Sequence, residues 1–319
     1  MNKYIKYFYN IDSNAIHTDN NNFFFSDSYG NLYCLYDASE CIGVKYDASY
    51  IRYIYEMTNY IDYNNTNFHK IILNVSRNIF TIIKKRVYVL LMYQKKCGPG
   101  KKVTIIDLDN CLNIKIPSII IKKRQTVSWK ERWETKIDYL EYQLNQFGFK
   151  YGLLRNSFGY YSGLVESAIA LLNVIGDYYK YSEKIICHFR INSSSTLFDF
   201  YNPLLIIFDD KERDFAEYCR YKINNIDIKN VDIFINDIMN YFFNKKYNSY
   251  NVIMFFSRLL YFSEYFDMFE KIIGGLEKEE KINEIIDMIP KYQLFIENLY
   301  KKIKKCGYIF PQIDWLENK

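Results

Sequence analysis

Two pairs of carboxylates are the first residues in this chain whose types and spacing suggest chemistry. Asp107 and Asp109 stand two apart after the mostly apolar run 103–106, and Asp209 and Asp210 follow a second apolar run, 204–208. Oxygen donors grouped in this way can hold a divalent cation or move a proton. The plainer reading of each pair is a turn after a strand, a string that an Ile-rich and Asp-rich chain produces often by chance. His188, one of 3 histidines, ends an apolar run beside Cys187. No second His and no Cys/His pair completes a site around it, so a hydrogen-bonded structural imidazole is favoured over a ligand or base. Gly30 is alone in its turn, so no glycine-rich loop is present to cradle phosphates. Lys45 could reach a cleft but reads more readily as a surface lysine. Serine-hydrolase chemistry lacks a GxSxG elbow, and zinc chemistry lacks paired His or Cys ligands.

The elements that would have to position these groups change character along the chain. Phe23–Phe25, the turn residues 27–31 and Leu32–Tyr36 read as a hairpin, and Ala48–Tyr60 as one helix among strands. Strands resume at 71–73, 80–83 and 87–93, with Lys84, Lys85 and Arg86 as a turn, and two further short apolar runs end near Ile121. Ser128 with Glu131 is a capping box that opens a helix, and Gly148 is its stop. Helices are then expected over 161–174, 210–221, 231–243, 252–273, 277–289 and 292–305, with short buried strands at 184–188 and 204–208. Gly176, Gly274, Gly275 and Pro290 punctuate them. The reading is an α+β chain with a strand-rich part, residues 1–127, before a helix-rich part, residues 128–319.

At 319 residues with 49% apolar composition, a large core forms without metals or disulfides. The abundance of Tyr, Phe, Asn, Ile and Lys follows an AT-rich codon bias, so a Tyr-rich or Lys-rich stretch says little by itself. The net charge of +5 is spread over short basic runs beside acidic or apolar sequence. That pattern describes solvated turns and helix faces, not a nucleic-acid surface. The 7 cysteines include no CxxC pair, which suggests reduced, mostly buried thiols in a cytoplasmic setting. Residues 1–12 lack an apolar signal core, and the run 87–93 is too short to span a bilayer. The aromatic segment 250–269 could present a face to a protein partner, although filling a helical core is the favoured reading.

Several stretches resemble the CotS/YutH-type spore-coat proteins, whose fold is similar to aminoglycoside phosphotransferases. They are WKERWETKIDYLEYQ (129–143), YYSGLVESAIAL (160–171), CHFRIN (187–192), RDFAEY (213–218), RLLYFSEYFDMF (258–269) and IDWL (313–316). The resemblance covers nearly all of the second part, while the first part agrees only in its strand pattern. It implies a two-lobed, protein-kinase-like fold whose ancestor held ATP. In that pattern a His-x-Asp triplet after a strand supplies the catalytic carboxylate, and the matching triplet here is His188-Phe189-Arg190. A guanidinium keeps its charge and cannot accept a proton, so this substitution should abolish ordinary phosphoryl transfer. With Asn192, these are degenerate catalytic-loop positions. The metal-binding Asp maps onto Asp199, with Asn202 as the degenerate alternative, and no Gly stands at the third position. Asp214 matches a carboxylate that anchors the catalytic loop in related folds, or is a first-turn Asp stabilising a helix start. Lys45 is the nucleotide candidate.

A rival resemblance is to haloacid-dehalogenase-type phosphatases. It would make Asp107 the nucleophile, Asp109 the acid and base, and Asp209 with Asp210 the metal pair. Cys111 stands where that family prefers Thr, and strands do not alternate with helices as a parallel sheet requires. The expectation is therefore a kinase-like protein that binds a protein partner, in spore coat assembly or a related cytoplasmic role. It would use no cofactor, with ATP and Mg²⁺ entering only if activity is retained through non-standard residues.

Overall fold

The computed structural model describes residues 1–19, 21–39, 48–58, 60–61, 67–112, 114, 128–176, 184–191 and 195–317. The chain divides into two compact units, Met1–Arg124 with Ile185–Asp209, and Gln125–Lys184 with Asp210–Lys319.

The first unit opens with a helix that the sequence reading did not anticipate, α1 (Asn2–Tyr9), closed by Asn10 in the left-handed region. Its buried residues Ile5 and Tyr9 lie four apart on one face. Six strands follow: β1 (His17–Asp19), β2 (Asn22–Ser26), β3 (Leu32–Asp37), β4 (Lys70–Ile72), β5 (Phe80–Ile83) and β6 (Arg86–Tyr93). They form one antiparallel sheet in the order β1-β2-β3-β6-β4, with β5 also on β6, and α2 (Ala48–Thr58) lies between β3 and β4 in sequence. The register sets Leu35 opposite Leu90 and Cys34 opposite Leu91, so alternate residues serve opposite faces. One face joins Phe25, Tyr33, Leu35, Tyr88 and Leu90 to Ile5 and Tyr9 of α1. On the other, Phe24 meets Phe198 edge to face at 5.1 Å. The expected turn at 84–85 forms with φ of 48° and 67°, the left-handed pair that a two-residue hairpin loop needs.

The apolar run 103–106, expected as a strand ending before Asp107, instead leads into the helix α3 (Ile105–Leu112). Thr104 and Asp107 explain the difference. The Asp107 carboxylate accepts from the Thr104 amide at 2.9 Å and its hydroxyl at 2.7 Å, which fixes a helical first turn.

The second unit is helical. Ser128 and Glu131 form the expected capping box of α4 (Trp129–Phe147), which is followed by α5 (Gly152–Ile175). By length and composition α5 could cross a membrane, yet 11 of its 24 residues, from Leu154 to Ile175, are buried inside this unit. After the short hairpin strands β7 (Ile185–His188) and β8 (Ile206–Asp209) and the single turn α6 (Leu197–Phe200), all in the first unit, come α7 (Glu212–Asn225), α8 (Val231–Asn244) and α9 (Ser249–Leu260). Next are α10 (Ser263–Ile273), α11 (Asn283–Ile286), α12 (Ile289–Lys305) and α13 (Asp314–Glu317). Helix α9 is the hub: every residue from Asn251 to Leu260 is buried, and it packs on α5 and α7.

The sequence pattern anticipates one helix over 252–273, but the chain leaves the helix at Tyr261 and Phe262. No Gly or Pro stands there. The buried Arg220 guanidinium donates to the carbonyls of Arg258 and, at 3.0 Å, Tyr261, so the last acceptors of α9 are satisfied by a side chain and not by a further turn. The aromatics beyond the break, Phe262, Tyr265, Phe266 and Phe269, are all buried, as a core role requires. Tyr265 stacks on Tyr161 at 3.8 Å.

Candidate functional site

The triplet His188-Phe189-Arg190 leaves the end of β7. That strand pairs antiparallel with β8, His188 opposite Ile206 and Ile185 opposite Asp209. His188 is buried and lies flat against Phe200, ring centroids 3.8 Å apart. The Arg190 guanidinium donates to the carbonyl of its neighbour Phe189 at 3.0 Å and sits over the Phe189 ring at 4.9 Å. A cation held against a carbonyl and an aromatic face is well solvated by its surroundings.

Asp199 caps a helix through one of its two carboxylate oxygens. Its Oδ2 accepts from the Thr196 amide at 3.0 Å and the Thr196 hydroxyl at 2.7 Å, and its own amide donates back to Thr196 Oγ1, making a reciprocal cap for α6. Asn202 is fully buried, and its Oδ1 accepts from the Leu204 amide at 3.0 Å. The other end of that side chain, Nδ2, has no hydrogen-bond partner among the described residues. The oxygen a metal would need is thus in use, and what remains is an N–H donor, which a cation repels. Among the described residues no group of three or more His, Cys, Asp or Glu side chains gathers in a way that could hold a metal ion. Asn192 and Lys45 lie outside the described residues.

The β2–β3 turn is closed by Asp27. Its carboxylate accepts from the amides of Tyr29 and Asn31, both at 2.9 Å, from Asn31 Nδ2 at 2.8 Å and from the Tyr33 hydroxyl at 3.2 Å. Desolvation works against its charge, but these four bonds outweigh it and hold the carboxyl below the usual range. The turn therefore carries a fixed negative charge and spends its amides on its own side chain.

The paired carboxylates of the phosphatase pattern do not assemble a site. Asp107 and Asp109 both lie on α3 and not at the end of a strand, and Asp107 Oδ1 accepts from the buried Tyr201 hydroxyl at 2.9 Å. With Thr104 on its other oxygen, Asp107 is a structural cap whose lone pairs are taken. Asp209 closes β8, and Asp210, the next residue, pairs with Lys184 and Arg258.

Among the described residues, a dense group of buried charges is one that sequence reasoning largely passed over. In the second unit Asp210, Glu212, Arg213, Asp214, Glu217, Arg220 and Arg258 are all buried, most of them on α7. Asp210 takes Lys184 at 2.6 Å and Arg258 at 3.5 Å, and Glu217 pairs with Arg220. Asn251 donates to Glu212 at 2.9 Å. The Trp129 ring lies under the guanidinium groups of Arg213 and Arg258, each at 4.8 Å, and that of Arg132 at 5.1 Å. Trp133, one turn on, stacks on Tyr261 at 4.7 Å. Burial, and then the charge of Asp210, pushes the Glu212 carboxyl up to about 7. Asp214 sits in the first turn of α7 within this cluster, so the structure places it with Arg213 and Glu217 on a helix start. Many of the residues joined here come from the stretches WKERWE, RDFAEY and RLLYFS, and Lys184, Asp210, Glu212, Arg220 and Asn251 come from outside them. Only the abundance of Arg and Trp in those stretches hinted at it.

The order of those stretches has a counterpart in comparison with known proteins. Residues 2–299 match the family model described as "Spore coat putative kinase YutH". The chain belongs to this family. Among solved structures, the YutH-family chain is similar to an aminoglycoside phosphotransferase from Alicyclobacillus acidocaldarius. The TM-score is 0.64 at 11% identity, covering 93% of this chain and 94% of that one. It is also similar to the amicoumacin kinase hAmiN, solved with AMP-PNP, Ca²⁺ and amicoumacin (TM-score 0.52, 14% identity, 93% and 92% covered). A third is a microcompartment-associated aminopropanol kinase (TM-score 0.52, 9% identity, 93% and 94% covered). At these identities the likeness establishes the kinase-like fold. No curated protein sequence matches the chain.

Proposed function

We propose that this YutH-family protein has lost phosphoryl transfer and works by binding other proteins during spore coat assembly, reaching the coat from the cytoplasm. One residue carries the reading: Arg190 occupies the position where the phosphotransferase pattern needs a carboxylate. Phosphoryl transfer requires an acceptor for the substrate proton and oxygens for Mg²⁺, and a permanent cation offers neither. The surroundings support it. Asp199 Oδ2 and Asn202 Oδ1 serve local caps, and the β2–β3 turn carries the Asp27 carboxylate, which repels phosphate.

The test is nucleotide binding and turnover by the purified chain. Mg-ATP at millimolar concentration is expected to leave the melting temperature unchanged and to yield no ADP above a protein-free control. A nucleotide-dependent rise in melting temperature would overturn the reading, because a ligand present at 100 times its Kd stabilises by about 2.7 kcal/mol. So would ATP turnover that disappears in Asp199→Ala.

A further inference from the structure

The second unit carries an exposed apolar patch that no core role explains. Phe243, at the end of α8, is 55% exposed, Tyr250, in the first turn of α9, 47%, and Ile309, beyond α12, 84%. These residues are neighbours in space. Tyr308 stacks on Phe243 with centroids 6.3 Å apart, and the Ile309 amide donates to the hydroxyl of Ser249, the residue before Tyr250, at 2.9 Å. Exposed large apolar side chains gathered at one place mark an interaction surface more often than those scattered singly.

The segments that form the patch are basic, with Glu317 as their acidic neighbour. No Asp or Glu occurs from Ile238 to Ser263 or from Asn298 to Ile313, while Lys245, Lys246, Lys301, Lys302, Lys304 and Lys305 do. Lys304 is paired with Glu317 and Lys302 is half-buried, but Lys246 and Lys305 are exposed and flank the aromatic centre in sequence on both sides. A partner surface bearing carboxylates beside apolar side chains would meet both features.

The backbone discriminates between kinds of partner. Residues 308–313 run outside any helix or sheet. Among the described residues, the backbone of 308–312 makes only two hydrogen bonds, from the Ile309 amide to Ser249 and from the Tyr300 hydroxyl to the Pro311 carbonyl. A segment outside helix and sheet that leaves amides and carbonyls unspent can take an extended chain beside it, whereas lipid headgroups gain nothing from such groups.

We infer that the surface formed by Phe243, Tyr250, Tyr308 and Ile309, with Lys246 and Lys305 at its rim, binds an acidic, extended segment of a partner protein that inserts apolar side chains beside Ile309. The inference deepens the binding role proposed above, and its failure leaves the nucleotide experiment untouched.

A fluorescein-labelled octapeptide alternating Glu and Val tests it by anisotropy on the full chain, with a Lys-Val octapeptide as counterpart. The expected result is saturable binding of the Glu-Val peptide that weakens as salt is raised, and no response to the Lys-Val peptide. Binding should weaken at least tenfold in Lys246→Glu/Lys305→Glu and in Ile309→Ser. All three side chains are exposed, so unchanged melting temperatures will show that the variants fold. Absence of binding at millimolar protein, equal binding of both peptides, or variants that bind like the parent would each overturn the inference. Sedimentation with phosphatidylserine vesicles that Ile309→Ser abolishes would assign the face to a membrane instead. A dimer in light scattering that Ile309→Ser dissociates would assign it to a second copy of the chain.

Discussion

Replacing Glu212 by Gln should make the protein more stable at alkaline pH and leave it almost unchanged in weak acid. Glu212 is 3% exposed, accepts from Asn251 Nδ2 at 2.9 Å, and has its carboxyl raised from 4.5 to about 7 by burial and by Asp210. The folded state therefore binds the proton more tightly than the unfolded chain does. The associated stability is fully present below the unfolded value of 4.5 and is lost as pH rises through about 7. Integrating between those two values makes the penalty about 2–3 kcal/mol larger at pH 8 than at pH 5. Gln copies the shape of the protonated acid, keeps a carbonyl for Asn251 and does not titrate. Urea unfolding of parent and Glu212→Gln, followed by circular dichroism at both pH values, gives the difference directly, and taking the difference removes every other titrating group. A gap between the two proteins that does not widen from pH 5 to pH 8 would refute the argument. A gap that widens in the opposite sense would mean that Lys211 and Arg258 hold Glu212 ionised in the fold.

His69 should show the opposite dependence in the first unit. It is buried, its Nε2 bonds the Phe198 carbonyl at 2.8 Å, and burial pushes its imidazole down to about 3. The neutral ring is favoured by the fold, so stability present above the ordinary value of 6.5 is lost as pH falls toward about 3, by about 2–3 kcal/mol between pH 7 and pH 4.5. His69→Phe should flatten that acid loss in urea titrations, and an unchanged slope would count against a neutral His69. Because His69 and Glu212 titrate in opposite senses over one window, the parent alone will hide both effects wherever the two units melt together. Glu279 takes the amides of Leu153 at 2.7 Å and Leu154 at 3.1 Å, capping the first turn of α5. Glu279→Ala should cost about 1 kcal/mol and speed amide exchange at those two positions, and protection equal to the parent's would show the cap to be idle.

Local rules that act within a few residues made much of the fold legible. The hairpin at 22–37 and the Ser128–Glu131 box appear where turn and cap residues place them, because a short stretch holds all the partners involved. Helix α3 was misread because four mostly apolar residues followed by Asp fit a strand as well as a helix. The deciding signal, Thr104 three residues before Asp107, was present but outweighed by the apolar run. The break at 261–262 has no local signal at all, since it depends on Arg220, some 40 residues earlier. At the candidate site, the proposal that Arg190 stands in place of a carboxylate rests on the triplet alone. The buried network around Trp129 cannot be read from sequence, because charged residues on an amphipathic helix ordinarily mark its wet face, and only tertiary contact shows that those of α7 are enclosed.

The cap on α5 also bears on how the molecule is made. The carboxylate that receives the helix's leading amides lies 126 residues further along the chain. During translation the longest helix leaves the ribosome well before its cap exists, and its first turn stays open to water meanwhile. The fraying end is sealed only when the last quarter of the polypeptide arrives, so a truncated product ending before Glu279 would carry that helix with a ragged start.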